Sequence, residues 1–250
     1  FAALDGFIRG SIPLGKTRHR STAMIEWFES RFPGRGARAR QLGELADEDF
    51  YGKLLGRRPK SSAWSQLGTL GGGNHFIEVD EDPEGALFLA VHTGSRHFGF
   101  QVAGFFQDMA RRYQAKAGAS GGLPRGLEHL PLDQGGNEYM KWLRIAQEYA
   151  GLNRFIITDR IISYFGLKLK EDTLIESVHN YISEKDGIVR KGAISAHRGE
   201  RLVIPLNMAS GVVLGVGKGN SNYNHSAPHG AGRLFSRKEM KRRLKEGSIT

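Results

Sequence analysis

Four histidines stand in stretches that are otherwise small or polar, and the setting of each suggests a different task. His229 lies in Ser226 to Arg237, SAPHGAGRLFSR, directly ahead of Gly230, Ala231 and Gly232. Without bulky neighbours the imidazole is open to a large anion, and backbone N–H groups there can turn toward phosphate oxygens. Arg233 and Arg237 follow four residues apart. On a helical turn they would share a face and could each grip phosphate through paired guanidinium bonds. A neutral imidazole in this place can attack an α-phosphorus to give a phosphoramidate, or act as general acid or base in phosphoester hydrolysis. Taken alone, the stretch also reads as a surface glycine turn followed by a solvated basic helix.

The other three are His75 in GGGNHFIEV, His92 at the end of ALFLAVH before TGSR, and His179 in LIESVHNYIS. Each sits beside Gly, Asn or Ser rather than within an apolar helical stripe. Three imidazoles from separate segments could converge on one cation such as Zn, Mn, Fe or Ni, with Asn74, Asn180 or Glu78 as outer partners. Neither HExxH nor paired CxxC is present, so a structural role for each histidine stays open. The GGG run resembles a phosphate loop, yet it matches neither the P-loop nor the dinucleotide GxGxxG pattern.

These residues need elements to position them. The 250-residue chain is 39% hydrophobic, enough for a packed core, and its 34 glycines mark many tight backbone sites. Its net charge of +10 favours an anionic partner such as nucleic acid, nucleotide or an acidic membrane surface. No run reaches the roughly 18 apolar residues of a membrane span. The absence of cysteine excludes disulfides and thiolate ligands and is compatible with a cytoplasmic protein. Residues 1–20 read as a basic loop. Ser21 or Thr22 caps a helix bearing Met24, Trp27, Phe28 and Phe32 that Pro33 stops; PGRGARARQ reads as a flexible basic loop, and LGELADEDFYGKLLG as a short amphipathic helix. Strands are expected at 67–79 and at ALFLAVH, then a helix at 99–116, a Gly/Pro-rich loop or lid, and a largely buried helix at 137–164. IVRKGAISA, RLVIPLNMA and VVLGVG read as strands, and KEMKRRLKEGSIT as a basic helix. Helices and strands do not alternate regularly, so the expected fold class is α+β: one domain over 1–250 with mixed or antiparallel β-sheets flanked by helices.

GTLGGGNHFIEV, VHTGSR, ESVHN, VRKGAISA and SAPHGAGRLFSR, in this order, resemble the RtcB family of RNA ligases over about residues 12 to 240. The resemblance implies a ligase, dependent on GTP and Mn2+, that joins an RNA 3′-phosphate or 2′,3′-cyclic phosphate end to a 5′-hydroxyl end in tRNA splicing or RNA repair, with an archease-like activator as a further partner. Under it, His229 is the guanylylated nucleophile and His75, His92 and His179 are manganese ligands. The guanylate pocket is lined by Asn74, His75, Phe76, Ile77 and Glu78, by His179 and Asn180, by Pro205, Leu206, Asn207 and Met208, and by His229, Gly230, Ala231 and Gly232. Arg96, Arg233 and Arg237 match arginines near RNA or its terminal phosphate. The family's upstream D-x-G-C-G motif and its C-terminal lysine have no counterpart, so the chain reads as an internal stretch incomplete at both ends. PLNMAS departs from the commoner form with glycine after the proline. A metal-dependent phosphoesterase and a non-catalytic RNA-binding piece are the competing functions.

Overall fold

The computed structural model describes residues 2–116, 126–207, 209–232 and 235–245, the side chains of 237, 238, 241 and 244 excepted. The chain folds as two compact units, Phe1–Asp172 and Thr173–Thr250. Helices and short antiparallel ladders together make it α+β, as the sequence predicts.

The first unit holds α1 (Ala2–Ser11), α2 (Ala23–Arg31), α3 (Pro33–Glu44), the hairpin of β1 (Phe76–Glu81) with β2 (Leu87–His92), α4 (Arg96–Lys116) and α5 (Gly136–Tyr164). Helix α5 is central because apolar residues line more than one of its faces. Trp142, Tyr149 and Ile156 pack with Phe28, Phe50, Phe98 and Phe106, whereas Ile157 and Ile161 pack with Ile12 and Leu70 beneath α1 and the hairpin. Full burial of each such side chain contributes about 1.5–3 kcal/mol. Among the described residues no helix is long and apolar enough to cross a membrane.

Two expectations are corrected here. PGRGARARQ is not a flexible loop but the body of α3: Pro33 ends α2 and at once opens α3, where a missing N–H costs nothing. Gly36, Ala39, Leu42 and Gly43 form its buried stripe. A Cβ on Gly36 would collide with the Glu29 backbone, so glycine there lets α2 and α3 approach. The arginines are held by carboxylates: Arg31 by Asp159 at 2.8 Å, Arg35 by Glu171 at 2.5 Å, Arg38 by Glu148 at 2.6 Å, and Arg40 by Glu29. Within 1–20, residues 2–11 form α1, whose Leu4, Phe7 and Ile8 pack on the smaller cluster. The expected amphipathic helix after α3 continues from it as a π-helical stretch, Leu45–Leu54.

The second unit holds β3 (Asn180–Ile182), β4 (Val189–Lys191), β5 (Ala193–Ser195), β6 (Arg201–Asn207), β7 (Gly211–Val216), β8 (Ser226–Pro228) and α6 (Arg237–Lys245). β3 pairs with β4, β5 with β8 and β6 with β7, all antiparallel. Its apolar core is small, with Ile194, Ala196 and Leu202 at the centre. A polar knot supplements it. Arg190, 2% exposed, donates to Asp186 Oδ2 at 2.7 Å, Ser226 Oγ at 3.0 Å, Asn224 O at 3.2 Å and Tyr181 Oη at 3.3 Å. Asp186 also accepts from the Ile188 amide and lies 3.0 Å from His197 Nε2.

The Arg190 guanidinium, followed by bonds from Ser183 and His197, holds the Asp186 carboxyl far below the usual carboxylate range. Its folded value is lower than its unfolded one, so the stabilisation is complete above the unfolded value, about pH 4, and is lost as pH falls toward the folded value. Asp186→Asn is expected to cost about 3 kcal/mol at pH 7 and to flatten the acid limb of stability, as read by denaturant unfolding between pH 7 and pH 3.

Candidate functional site

In the first unit the glycine run leads into β1 with Gly71 and Gly73 at positive φ, a backbone that only glycine adopts without strain. Gly71 also pairs with Leu14, and its carbonyl accepts from the Gly15 amide at 2.9 Å. His75 comes just before β1 and His92 ends β2, opposite Phe76 in the register. The two imidazole centroids stand 6.0 Å apart, and Phe76 stacks on His92 at 5.2 Å. Ile77 and Val79 face away from Phe76 and Glu78 by strand alternation, and Ile77 packs against Ile12, Leu70 and the buried isoleucines of α5. Asn74 is exposed. Partial burial, reinforced by Asp80, raises the Glu78 carboxyl above its ordinary value.

Two residues fix this end of the hairpin. Asn153, fully buried on α5, accepts from the Thr69 amide at 3.2 Å and donates to the carbonyls of Thr69 at 3.1 Å and Gly94 at 3.3 Å. It therefore ties the loop before His75 to the loop after His92. Nothing in the sequence flagged it, beyond a polar residue in an apolar helical run. Arg96, at φ +56, donates from Nη1 to His75 Nδ1 at 3.0 Å and from Nε to Thr69 Oγ1 at 3.2 Å. Burial lowers its pKa from the usual arginine value, yet a guanidinium remains charged and is a donor only. The bond thus consumes the single lone pair of the neutral His75 ring.

In the second unit Gly192, at φ +72 between β4 and β5, joins the other two histidines. Its amide donates to the His179 carbonyl at 2.7 Å, and its carbonyl lies 2.6 Å from His229 Nδ1. A carbonyl only accepts, so Nδ1 carries the proton and the neutral ring has its lone pair on Nε2. The His179 and His229 centroids are 4.8 Å apart. A Cβ on Gly192 would touch the His229 ring at an ordinary van der Waals distance of 3.4 Å, so the demand for glycine comes from the positive φ. The HGAG turn rests on β6, where the Ala231 amide donates to Pro205 O at 3.2 Å and Gly230 sits against the same carbonyl. Gly232 is open. Leu206 is partly exposed, and Asn207 turns its oxygen back to the amides of Ala209 and Ser210 at 2.9 and 3.0 Å, after an irregularity in the β6–β7 register. Exposed Asn180 accepts from the Gly192 amide at 3.2 Å. Met208 and Arg233 lie outside the described residues, as does the side chain of Arg237.

Each unit therefore brings two of the four histidines together. Two imidazoles with centroids 6.0 Å apart are spaced to share one cation through metal–nitrogen bonds of roughly 2 Å. The imidazole donor type fits a divalent transition metal, but on His75 the cation and Arg96 compete for the same lone pair. Among the described residues, no three His, Asp or Glu side chains form a group that could hold a metal ion. A hollow of about 480 Å3 in the second unit is lined by Tyr181, Lys185, His197 and Glu200 among others, and its lining includes none of the candidate site residues.

A Cβ on Gly71 would land on the Arg96 guanidinium. Gly71→Ala is expected to cost about 1–3 kcal/mol through its positive φ and to displace Arg96 from His75. The second effect is checked by a change in the Nδ1 nitrogen-15 shift of His75 relative to the parent protein.

A family model described as tRNA-splicing ligase RtcB matches residues 23–250. The tRNA-splicing ligase RtcB of Thermococcus kodakarensis is 32% identical over 252 residues, covering 81% of this chain and 51% of the relative. That of Aeropyrum pernix is 30% identical over 272 residues, covering 87% and 55%. The RNA-splicing ligase RtcB of Escherichia coli K12 is 29% identical over 202 residues, covering 72% and 48%. The chain spans about half the length of the curated relatives it matches. With a match of this extent over both histidine pairs, the chain belongs to the tRNA-splicing ligase RtcB family.

Proposed function

We propose that this chain carries the nucleotidyl-transfer chemistry of an RNA ligase that joins RNA 3′-phosphate or 2′,3′-cyclic phosphate ends to 5′-hydroxyl ends at the expense of GTP. The observation that carries the reading is the hydrogen bond between His229 Nδ1 and the Gly192 carbonyl, which leaves Nε2 as the nucleophilic nitrogen. The relatives named as RNA- or tRNA-splicing ligases support the class of reaction.

In this reading the Nε2 lone pair of His229 attacks the α-phosphorus of GTP, a P–N bond forms, and the bond to the bridging oxygen breaks to release pyrophosphate. The imidazolium is stabilised because its Nδ1 proton already points at a carbonyl. An oxygen of the RNA 3′-phosphate then attacks the same phosphorus and frees the imidazole, and the 5′-hydroxyl attacks the activated RNA phosphate, expelling GMP. The open HGAG turn admits the phosphate chain, and Arg96, Arg233 and Arg237 would meet RNA phosphates. His75, His92 and His179 are the proposed Mn2+ ligands, and a bound cation would neutralise charge on the reacting phosphates.

Incubation of the intact protein with α-labelled GTP and Mn2+ should give an acid-labile, alkali-stable adduct. His229→Ala should abolish it, and a chelator should suppress it in the parent protein. Unchanged labelling of His229→Ala would remove the nucleophile assignment, and release of phosphate from RNA ends without GTP consumption would indicate a phosphoesterase instead.

A further inference from the structure

Helix α4 buries Phe98, Val102, Phe106 and Ala110, a stripe with a spacing of four, against the core of the first unit. Its outer face nevertheless presents a large aromatic ring to water, since Phe100 is 71% exposed. His97, also exposed, lies three residues earlier on the same face, with ring centroids 5.9 Å apart and planes inclined by only 25°. The positions that would cover Phe100 from the following turn are Ala103 and Gly104, and a Cβ on Gly104 would meet open space. One face of each ring is turned toward the other, and most of the Phe100 ring remains open to solvent.

Basic residues flank this pair. Arg57 donates to the side chain of Gln101, the residue after Phe100, which fastens the exposed segment 57–60 beside the helix. Partial burial, followed by the nearby charges of Arg57 and Lys60, holds the His97 imidazole below its ordinary value, so near pH 7 it is a neutral ring. An apolar protein partner would call for more apolar surface than two rings, and here the surroundings are cations, Ala103 and Gly104. Unpaired bases offer what such a surface recognises: flat faces for the rings and phosphates for the cations. Arg96, at the start of the same helix, reaches His75, so the surface adjoins the histidine pair of its own unit.

We propose that His97 and Phe100 form a stacking platform for single-stranded RNA, with Arg57 and Lys60 holding its phosphates, so that a strand crossing α4 is led toward Arg96 and His75. The proposal rests on the RNA-joining reading and adds to it a place where the strand is held.

Fluorescence anisotropy of the intact protein with a labelled single-stranded oligouridylate provides the test. Phe100→Ala should weaken binding about tenfold, the loss of one stacked base, and Phe100→Trp should retain it. Arg57→Gln with Lys60→Gln should reduce the slope of log affinity against log salt by roughly 0.7 for each phosphate contact removed. GTP labelling at His229 in Phe100→Ala should equal that of the parent, which shows that the variant is folded. Unchanged RNA affinity in Phe100→Ala with intact labelling overturns the platform. If the parent is dimeric in light scattering and Phe100→Ala is monomeric with RNA affinity unchanged, the platform is overturned and this face is a contact between copies. If the parent binds the oligonucleotide through Phe100 but never labels with GTP, the platform stands and the ligase reading fails.

Discussion

The main chain of Gly192 sets the state of the histidine on which the proposed chemistry turns. Its N–H holds the carbonyl of His179 and its C=O receives the ring proton of His229, so one residue fixes both the place and the tautomer of the proposed nucleophile. Such a bond cannot be lost by a change of side chain, and it leaves the reactive nitrogen pointing away from the strand that holds it. The requirement falls on the backbone: φ +72 is a conformation that favours glycine. The β4 and β5 strands on either side give that glycine its position, and β8, paired with β5, brings His229 to it. With an apolar centre as small as Ile194, Ala196 and Leu202, that register depends on the saturated guanidinium of Arg190. A buried cation with a full set of acceptors specifies one arrangement of turns, because any slip leaves a charge unpaired.

The first unit meets the same need through side chains. Asn153 uses its amide to link two loops that lack regular pairing, and Arg96 takes the lone pair of His75. The first contact is rigid and fully buried. The second is part-buried and packed over Gly71. The loop scaffold is held firmly at Thr69 and Gly94, and Arg96 fixes His75 from its edge.

The sequence singled out the four histidines by the glycine, asparagine and serine around them, and the structure brings them together as two pairs, one in each unit. The strand expected over 67–79 starts only at Phe76, after the glycine run, whereas the strand ending at His92 and helix α5 with its excess of apolar residues were legible from periodicity. Helix α3 was not. Its buried stripe consists of Gly36, Ala39, Leu42 and Gly43, and glycine and alanine give almost no periodic hydrophobic signal. Its arginines suggested solvation because their carboxylate partners lie far along the chain, Arg38 meeting Glu148 and Arg35 meeting Glu171. Asn153 and the bond from Arg96 to His75 were illegible for the same reason: local spacing says nothing about which distant backbone a polar side chain will reach.

Those pairings also change what the net charge of +10 means. The densest run of arginines, 31–40, faces Asp159, Glu171, Glu148 and Glu29 and serves to join helices. A phosphate approaching there would have to displace carboxylates already bonded to the guanidinium groups. At Arg57 the partner is instead a neutral amide, Gln101, which orients the cation without cancelling it. Arg96 likewise has a neutral imidazole and a hydroxyl as its partners. Charge that is placed but not neutralised is what an anion can use, and by that measure the start of α4 is better suited to the proposed RNA contact than the arginine-rich α3.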